Sequence, residues 1–273
     1  MDRKLFTKQR RCCALIGMIH LKALPATPAS RLKLVDILDA ALRDGENLVL
    51  GDCDALLVEN MSDLPYCRAR VGPEITASMA IVVDHVKRAF AKPVGVQVLA
   101  AANIEAMAVA ACGGADFIRA EAFAYAHVAD EGLLNASAAE VLRYRRQLDA
   151  ERVSVWADVQ KKHAAHAITG DLSLGDLAHG FSFCGADALI ATGIATGSAA
   201  SVKDVIALKS AKLPVVVGSG IDIQNVTEFA AIADGLIVGS SIKIDGDWKN
   251  PVDKARVAAL AKAIDALEQG SAH

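Results

Sequence analysis

Pro214-Val-Val-Val-Gly-Ser-Gly-Ile-Asp-Ile-Gln-Asn-Val-Thr-Glu-Phe-Ala-Ala-Ile-Ala-Asp-Gly-Leu-Ile-Val-Gly-Ser-Ser241 contains one structural sentence spoken twice. An unbroken apolar run, Pro214–Val217, meets Gly218-Ser-Gly220. A helical stretch over Ile223–Ile232 follows, and a second run, Gly235–Val238, meets Gly239-Ser-Ser241. Apolar runs of four without alternation are how parallel strands buried on both faces read. Strand, glycine turn, helix, strand is therefore a parallel β/α repeat.

Working outward, the repeat covers the chain. Toward the N-terminus lie strands at Asp187–Ala191, Val153–Ala157, Asp116–Ala120, Pro93–Val98, Asp54–Val58 and about 12–19. Helices fill the gaps: a stretch capped by Ser30 and ended by Gly51, then Pro73–Phe90, Ile104–Ala111, Ser137–Leu148, Leu172–Phe183 and Val202–Leu208. Ser137 and Glu140 have capping-box spacing. The last helix runs over about 251–267. Eight strand–helix units in 273 residues predict a single α/β domain over 1–273, a closed (β/α)8 TIM barrel. A doubly wound open sheet is the alternative. Its G-x-G-x-x-G fingerprint is missing after the first strand, where Gly17-Met-Ile-His20 stands. Asp54, Asp116, Asp187 and Asp234 recur at strand starts, which places charge on the barrel's N-terminal, stability face.

Composition narrows the function. Lys+Arg number 29 and Asp+Glu 32, a net charge of −3, and 4% of residues are aromatic. A nucleic-acid binder would need a basic face and stacking platforms, so no nucleic-acid partner is expected. No apolar run reaches the length of a membrane-spanning helix. The six cysteines form no C-x-x-C pair, and four lie in or beside apolar runs, which reads as core packing in a reducing compartment. Arg3, Lys4, Lys8, Arg10 and Arg11 form a basic arm over 1–11 that imitates a secretory signal. The barrel needs the following apolar stretch as its first strand, so the expected location is cytoplasmic.

A barrel works at the C-terminal ends of its strands. Reading only those ends yields His20 and Lys22, Glu59 and Asn60, Arg119 and Glu121, then Asp158, Lys162, His163 and His166. Thr192 and Gly193 follow strand six, with Thr196-Gly197 beyond. Gly218, Ser219, Gly220, Gly239, Ser240 and Ser241 follow the last two strands. Glycines let backbone N–H groups approach an anion, and barrels commonly bind phosphate at these two loops. The plainer reading is a pair of tight turns; Asp222 stands against an anion if it points inward. Glu59, Asp158, Lys162 and His163 are the expected reactive groups, with base, cation and acid at one wall. His163 and His166, spaced i, i+3, with Asp158, could hold a divalent metal, zinc or magnesium; no other cofactor is implied. An internal ion pair of Arg119 with Glu59 or Glu121 is the alternative to a ligand clamp.

Gly17-Met-Ile-His-Leu-Lys-Ala-Leu-Pro25, Val58-Glu-Asn60, Val71-Gly-Pro-Glu74, Gly114-Ala-Asp-Phe-Ile-Arg119, Leu142-Arg-Tyr-Arg-Arg146, Ala157-Asp-Val159 with Lys162-His163, Thr192-Gly193 with Thr196-Gly197, and Gly218-Ser-Gly220 together resemble the BtpA/SgcQ family, over about Ala14 to Val257. The resemblance implies a TIM barrel of the ribulose-phosphate-binding type. It also implies a family named for a cyanobacterial factor needed for photosystem I, found at the membrane surface, with members where there is no photosynthesis. Ala100-Ala-Ala102 and Glu121-Ala-Phe-Ala-Tyr125 depart from the family pattern, which has Arg-Asn-Asp and Asn-Val-His there.

Two functions remain in view. The first is a lyase or isomerase acting on a small phosphorylated sugar or related metabolite, as a homo-oligomer. The second is a non-catalytic assembly factor bound peripherally to a membrane complex, supported by the basic arm. Converging polar groups in an open mouth favour the enzyme; a filled, apolar mouth favours the scaffold.

Overall fold

The computed structural model describes residues 11–193 and 200–270. Its strands, in chain order, are β1 (Ala14–His20), β2 (Ala55–Glu59), β3 (Val94–Gln97), β4 (Phe117–Ala120), β5 (His127–Ala129), β6 (Gly132–Leu134), β7 (Ser154–Asp158), β8 (Ala164–Ala165), β9 (Ala188–Ala191), β10 (Val215–Val217) and β11 (Gly235–Val238). Helices α1 (Leu34–Leu50), α2 (Pro73–Ala89), α3 (Asn103–Gly113), α4 (Ala138–Gln147), α5 (Leu174–Phe183), α6 (Val202–Leu208), α7 (Val226–Ala230) and α8 (Lys254–Gly270) alternate with the long strands. Eight strands close into a parallel barrel in the order β1-β11-β10-β9-β7-β4-β3-β2. The open-sheet alternative is thereby excluded. The three short strands were not anticipated. They form a separate antiparallel sheet, β6-β5-β8, beside the ends of β4 and β7. Two or three residues per strand carry too little periodicity to read where, unlike at β10, no strand–helix alternation marks their place.

Inside the barrel, Ile16, Met18, Leu57, Phe117, Trp156, Ile190, Val216 and Ile237 pack as one cluster. The Phe117 and Trp156 rings stack 3.7 Å apart. Gly95 makes room for them: a Cβ there would lie 2.1 Å from the Phe117 ring. Side chains on a strand repeat every two residues. The next inward positions, two residues past Met18, Leu57, Phe117, Trp156, Val216 and Ile237, are His20, Glu59, Arg119, Asp158, Gly218 and Gly239. The polar floor of the mouth is thus the layer directly above the apolar plug.

The opposite end explains the recurring aspartates. Asp54, Asp116, Asp187 and Asp234 accept from the N–H groups of Leu15, Val94, Val155 and Val215, at 2.8 to 2.9 Å. Each carboxylate pins the start of the preceding barrel strand. Arg11 belongs to this end. Its guanidinium is buried and reaches Asp52, Asp54 and Asp265, so it is no part of a free basic arm. Arg3, Lys4, Lys8 and Arg10 lie outside the described residues, as do Thr196 and Gly197.

Several local expectations need correction. Lys33, not Ser30, precedes α1, and its N–H is bonded by Asp36. Gly51 ends α1 at φ −83°, so no left-handed cap is formed; a Cβ would meet Val257 at 2.5 Å, and packing requires the glycine. Ser137 makes no cap bond. Its hydroxyl donates to the Ala122 carbonyl and accepts from Asn103, stitching α3 to the loop after β4. Only Cys13 and Cys53 are fully buried, and burial pushes both thiols up.

Candidate functional site

The mouth holds a cavity of about 220 Å³. His20, Glu59, Arg119 and Lys162 line one side; Gly218, Ser219, Gly220, Gly239, Ser240 and Ser241 line the other. Two close approaches explain glycines here. A Cβ on Gly218 would lie 2.5 Å from Ile190 and 3.2 Å from Arg119, and one on Gly239 3.0 Å from His20. Gly220 adopts φ 73°, a left-handed conformation that glycine takes without strain. Asp222 lines the cavity, but its Oδ1 accepts from the N–H groups of Gln224 and Asn225, which ties it to its own turn. The Ser241 hydroxyl donates to the Ile221 carbonyl, tying the two glycine loops together.

His20 and Glu59 face each other with 3.5 Å between Nε2 and Oε2. The distance alone would make this an ion pair. Burial, reinforced by Lys243, instead pushes His20 down to about 3, so the imidazole is neutral. Nδ1 stands 3.4 Å from the Trp248 carbonyl, which can only accept; the ring proton belongs there, and Nε2 presents a lone pair. Burial pushes Glu59 up as well, although Lys162 and Arg119 oppose the shift. Lys162 is pushed down, by burial first and then by Arg119. No hydrogen bond or ion pair engages it among the described residues. A carboxyl, an imidazole and an amine, all biased toward their neutral forms, share one small space.

Arg119 and Asp158 form a buried pair, with Nε to Oδ2 at 2.8 Å and Nη2 to Oδ1 at 3.0 Å. Burial works against the Arg119 charge, and Asp158 more than offsets it. The Arg119 partner is thus Asp158, not Glu59 or Glu121. Asp158 is not among the residues that line the cavity, and its carboxylate is engaged by Arg119. Glu121 accepts from the Ala101 N–H, and burial pushes it up to about 7. Asn60 is structural: it donates to Asp63 and accepts from the Leu99 N–H. Lys22 leaves the cavity for a neighbouring groove. Thr192 donates to the Gln160 carbonyl, and the Gly193 N–H to Ser219, so both support the cavity from behind.

The metal expectation does not fit. His163 is exposed, His166 Nε2 contacts the Lys161 carbonyl at 3.0 Å, and Asp158 is held by Arg119. Among the described residues, no group of three His, Cys, Asp or Glu side chains is placed to hold a metal ion. The sequence reading missed Met18, Met61, Ile221, Ile237, Gly246 and Trp248 as cavity walls. Trp248 left one usable signal: it is one of two tryptophans in an aromatic-poor chain.

Residues 11–266 match the BtpA family. The chain belongs to that family. A mitochondrial protein of Caenorhabditis elegans is 43% identical over 93% of this chain and 94% of its own. The photosystem I biogenesis protein BtpA of Synechocystis is 35% identical, over 92% of this chain and 87% of its own. Among solved structures, the N-(5′-phosphoribosyl)anthranilate isomerase of Pyrococcus furiosus superposes with a TM-score of 0.59. It is 14% identical, and the match covers 93% of this chain and 99% of that one. At that identity the likeness establishes the fold alone: this BtpA-family chain is a closed parallel TIM barrel. Among the described residues, no helix is long and apolar enough to cross a membrane.

Proposed function

We propose that the chain is an enzyme that moves a proton on a small phosphorylated metabolite, as a lyase or isomerase does. One observation carries the reading: the two glycine loops and the His20–Glu59–Lys162 group line the same cavity. Backbone N–H groups of Gly220 and Gly239–Ser241 would bind the phosphate, with Gly218 held to the Ala191 carbonyl behind them, and that remote contact would orient the reacting carbon. Glu59 is the acid–base group: as a carboxylate it takes a proton from the reacting carbon and as a carboxyl it returns that proton to substrate, while neutral His20 holds the carboxyl in place through the Nε2 lone pair. Burial suits a carboxyl for this task, because it brings its proton affinity closer to neutral pH. Lys162 stabilises the oxyanion that forms. Asp158 is not the base; it fixes the guanidinium of Arg119 beneath Gly218. Working in the cytoplasm and as a homo-oligomer belongs to this reading as expectation.

The test is a panel of aldose and ketose phosphates turned over by the full chain. Glu59→Gln is expected to cut turnover by about 10²- to 10⁴-fold, with a melting temperature within a few degrees of the parent. Unchanged turnover in this variant overturns the assignment of Glu59. The second reading, an assembly factor, rests on the likeness to the photosystem I biogenesis protein of Synechocystis. A mouth floored by His20, Glu59 and Arg119 gives that reading no support.

A further inference from the structure

A second depression, of about 400 Å³, adjoins the cavity, and Trp248 is a wall of both. Its charged wall residues are Lys22, Arg31 and Lys249, all cations; no carboxylate lines it. A depression beside α1 shows the contrast, with charges of both signs, Asp39, Arg43 and Glu46, on its walls. Backbone carbonyls hold two of the three cations in place without cancelling their charge. Lys22 Nζ donates to the Lys249 carbonyl at 2.6 Å, and Arg31 Nη1 to the Ser30 carbonyl at 2.6 Å. Lys249 Nζ lies 5.5 Å from the Trp248 ring centre. None of the three has an ion-pair partner among the described residues.

The two depressions are one small molecule apart. His20 faces the cavity and Lys22 the groove, and two residues of chain span at most about 7 Å. Trp248, which lines both, and Lys249, which lines the groove, repeat that adjacency one residue apart. Leu32 and Leu64, 45% and 47% exposed, supply apolar surface for a carbon chain in the groove. Three uncancelled cations at this distance from an anion cradle call for a second negative group on the same ligand.

We propose that Lys22, Arg31 and Lys249 form a second anion subsite, and that the ligand is an elongated small molecule acidic at both ends. One end is the phosphate of the proposed function, on which this inference rests. The other is a phosphate or carboxylate lying across Trp248. The experiment is calorimetric titration of the full chain with fructose 6-phosphate, fructose 1,6-bisphosphate and 6-phosphogluconate. The bisphosphate, the sugar acid or both should bind at least about tenfold tighter than the monophosphate, since charge-assisted bonds are the strong ones. A gain for the bisphosphate alone assigns a second phosphate; a gain for the sugar acid as well assigns any acid of that reach. The triple variant K22Q/R31Q/K249Q should bind all three alike. Equal binding to the parent overturns the subsite and leaves the phosphate reading standing. No binding by any of the three overturns both. A gain that persists in the triple variant also overturns the subsite, as does retention on phosphatidylglycerol vesicles that the variant abolishes while the sugars show no gain. That last result would make the patch a membrane contact.

Discussion

The two halves of the mouth are built from opposite materials. Around the ends of β10 and β11 the working atoms belong to the backbone, and glycine keeps side chains out of the way. Around β4 and β7 the ends are crowded with ionisable side chains that satisfy one another: Arg119 with Asp158, and Lys161 with Glu131 at 2.7 Å. The short sheet of β5, β6 and β8 stands beside this second half, and the rings of His127 on β5 and His166 just after β8 lie 5.1 Å apart. An anion arriving at the first half would meet backbone N–H groups of the two glycine loops, although that of Gly218 is already given to the Ala191 carbonyl. On the second half any ligand must compete with pairs already made, and burial makes breaking them expensive. The first half is suited to binding, and the second to holding charge in fixed positions.

The hardest test of that contrast is Arg119→Met. It leaves Asp158 as an uncompensated charge in the barrel, and loss of one partner of a buried pair costs about 3–5 kcal/mol. Chemical denaturation should show a loss of that size. A loss below about 1 kcal/mol would mean that the crowded half is not held by this pair. The double variant Arg119→Met with Asp158→Leu should recover much of the loss, because no charge is then left behind.

The next effect is the share of the pH dependence that belongs to the crowded half. Glu121 is pushed up to about 7 by burial, so between its unfolded value and 7 the folded chain binds more protons than the unfolded one. Its contribution is therefore present at low pH and is lost as pH rises through about 7, by about 3 kcal/mol at most. Unfolding measured from pH 4.5 to 8 should show a decline that Glu121→Gln flattens. An unchanged slope in the variant would place the titrating group elsewhere.

The smallest effect sharpens the glycine half. Gly220→Asp puts a carboxylate in the cradle, whereas Gly220→Asn brings nearly the same bulk and backbone strain without charge. A phosphorylated ligand at 100 times its Kd stabilises a fold by about 2.7 kcal/mol. That thermal shift should vanish in the aspartate variant and survive, reduced, in the asparagine variant. Equal loss in both would show that the glycine is needed for shape rather than for an anion.

The sequence by itself determined the barrel, the strand that each inward side chain leaves, and the glycine loops. These features follow from local rules. A two-residue period and a chain reversal at glycine depend only on neighbours in the chain, so Met18 and His20, or Val216 and Gly218, were legible as consecutive inward positions. The aspartates at strand starts were legible for the same reason. Only the tertiary structure decided which charges meet. Arg119 and Asp158 lie 39 positions apart and Lys243 and Asp44 199 apart, and nothing local distinguishes these partners from other carboxylates nearby. It also decided that Asp158 is occupied, that Lys22 faces a groove and not the cavity, and that Trp248 joins the two. A pairing is a property of the space between elements. That space exists only once the barrel has closed and water has been driven out of its mouth, because only then do burial and a neighbouring charge decide which groups keep their protons.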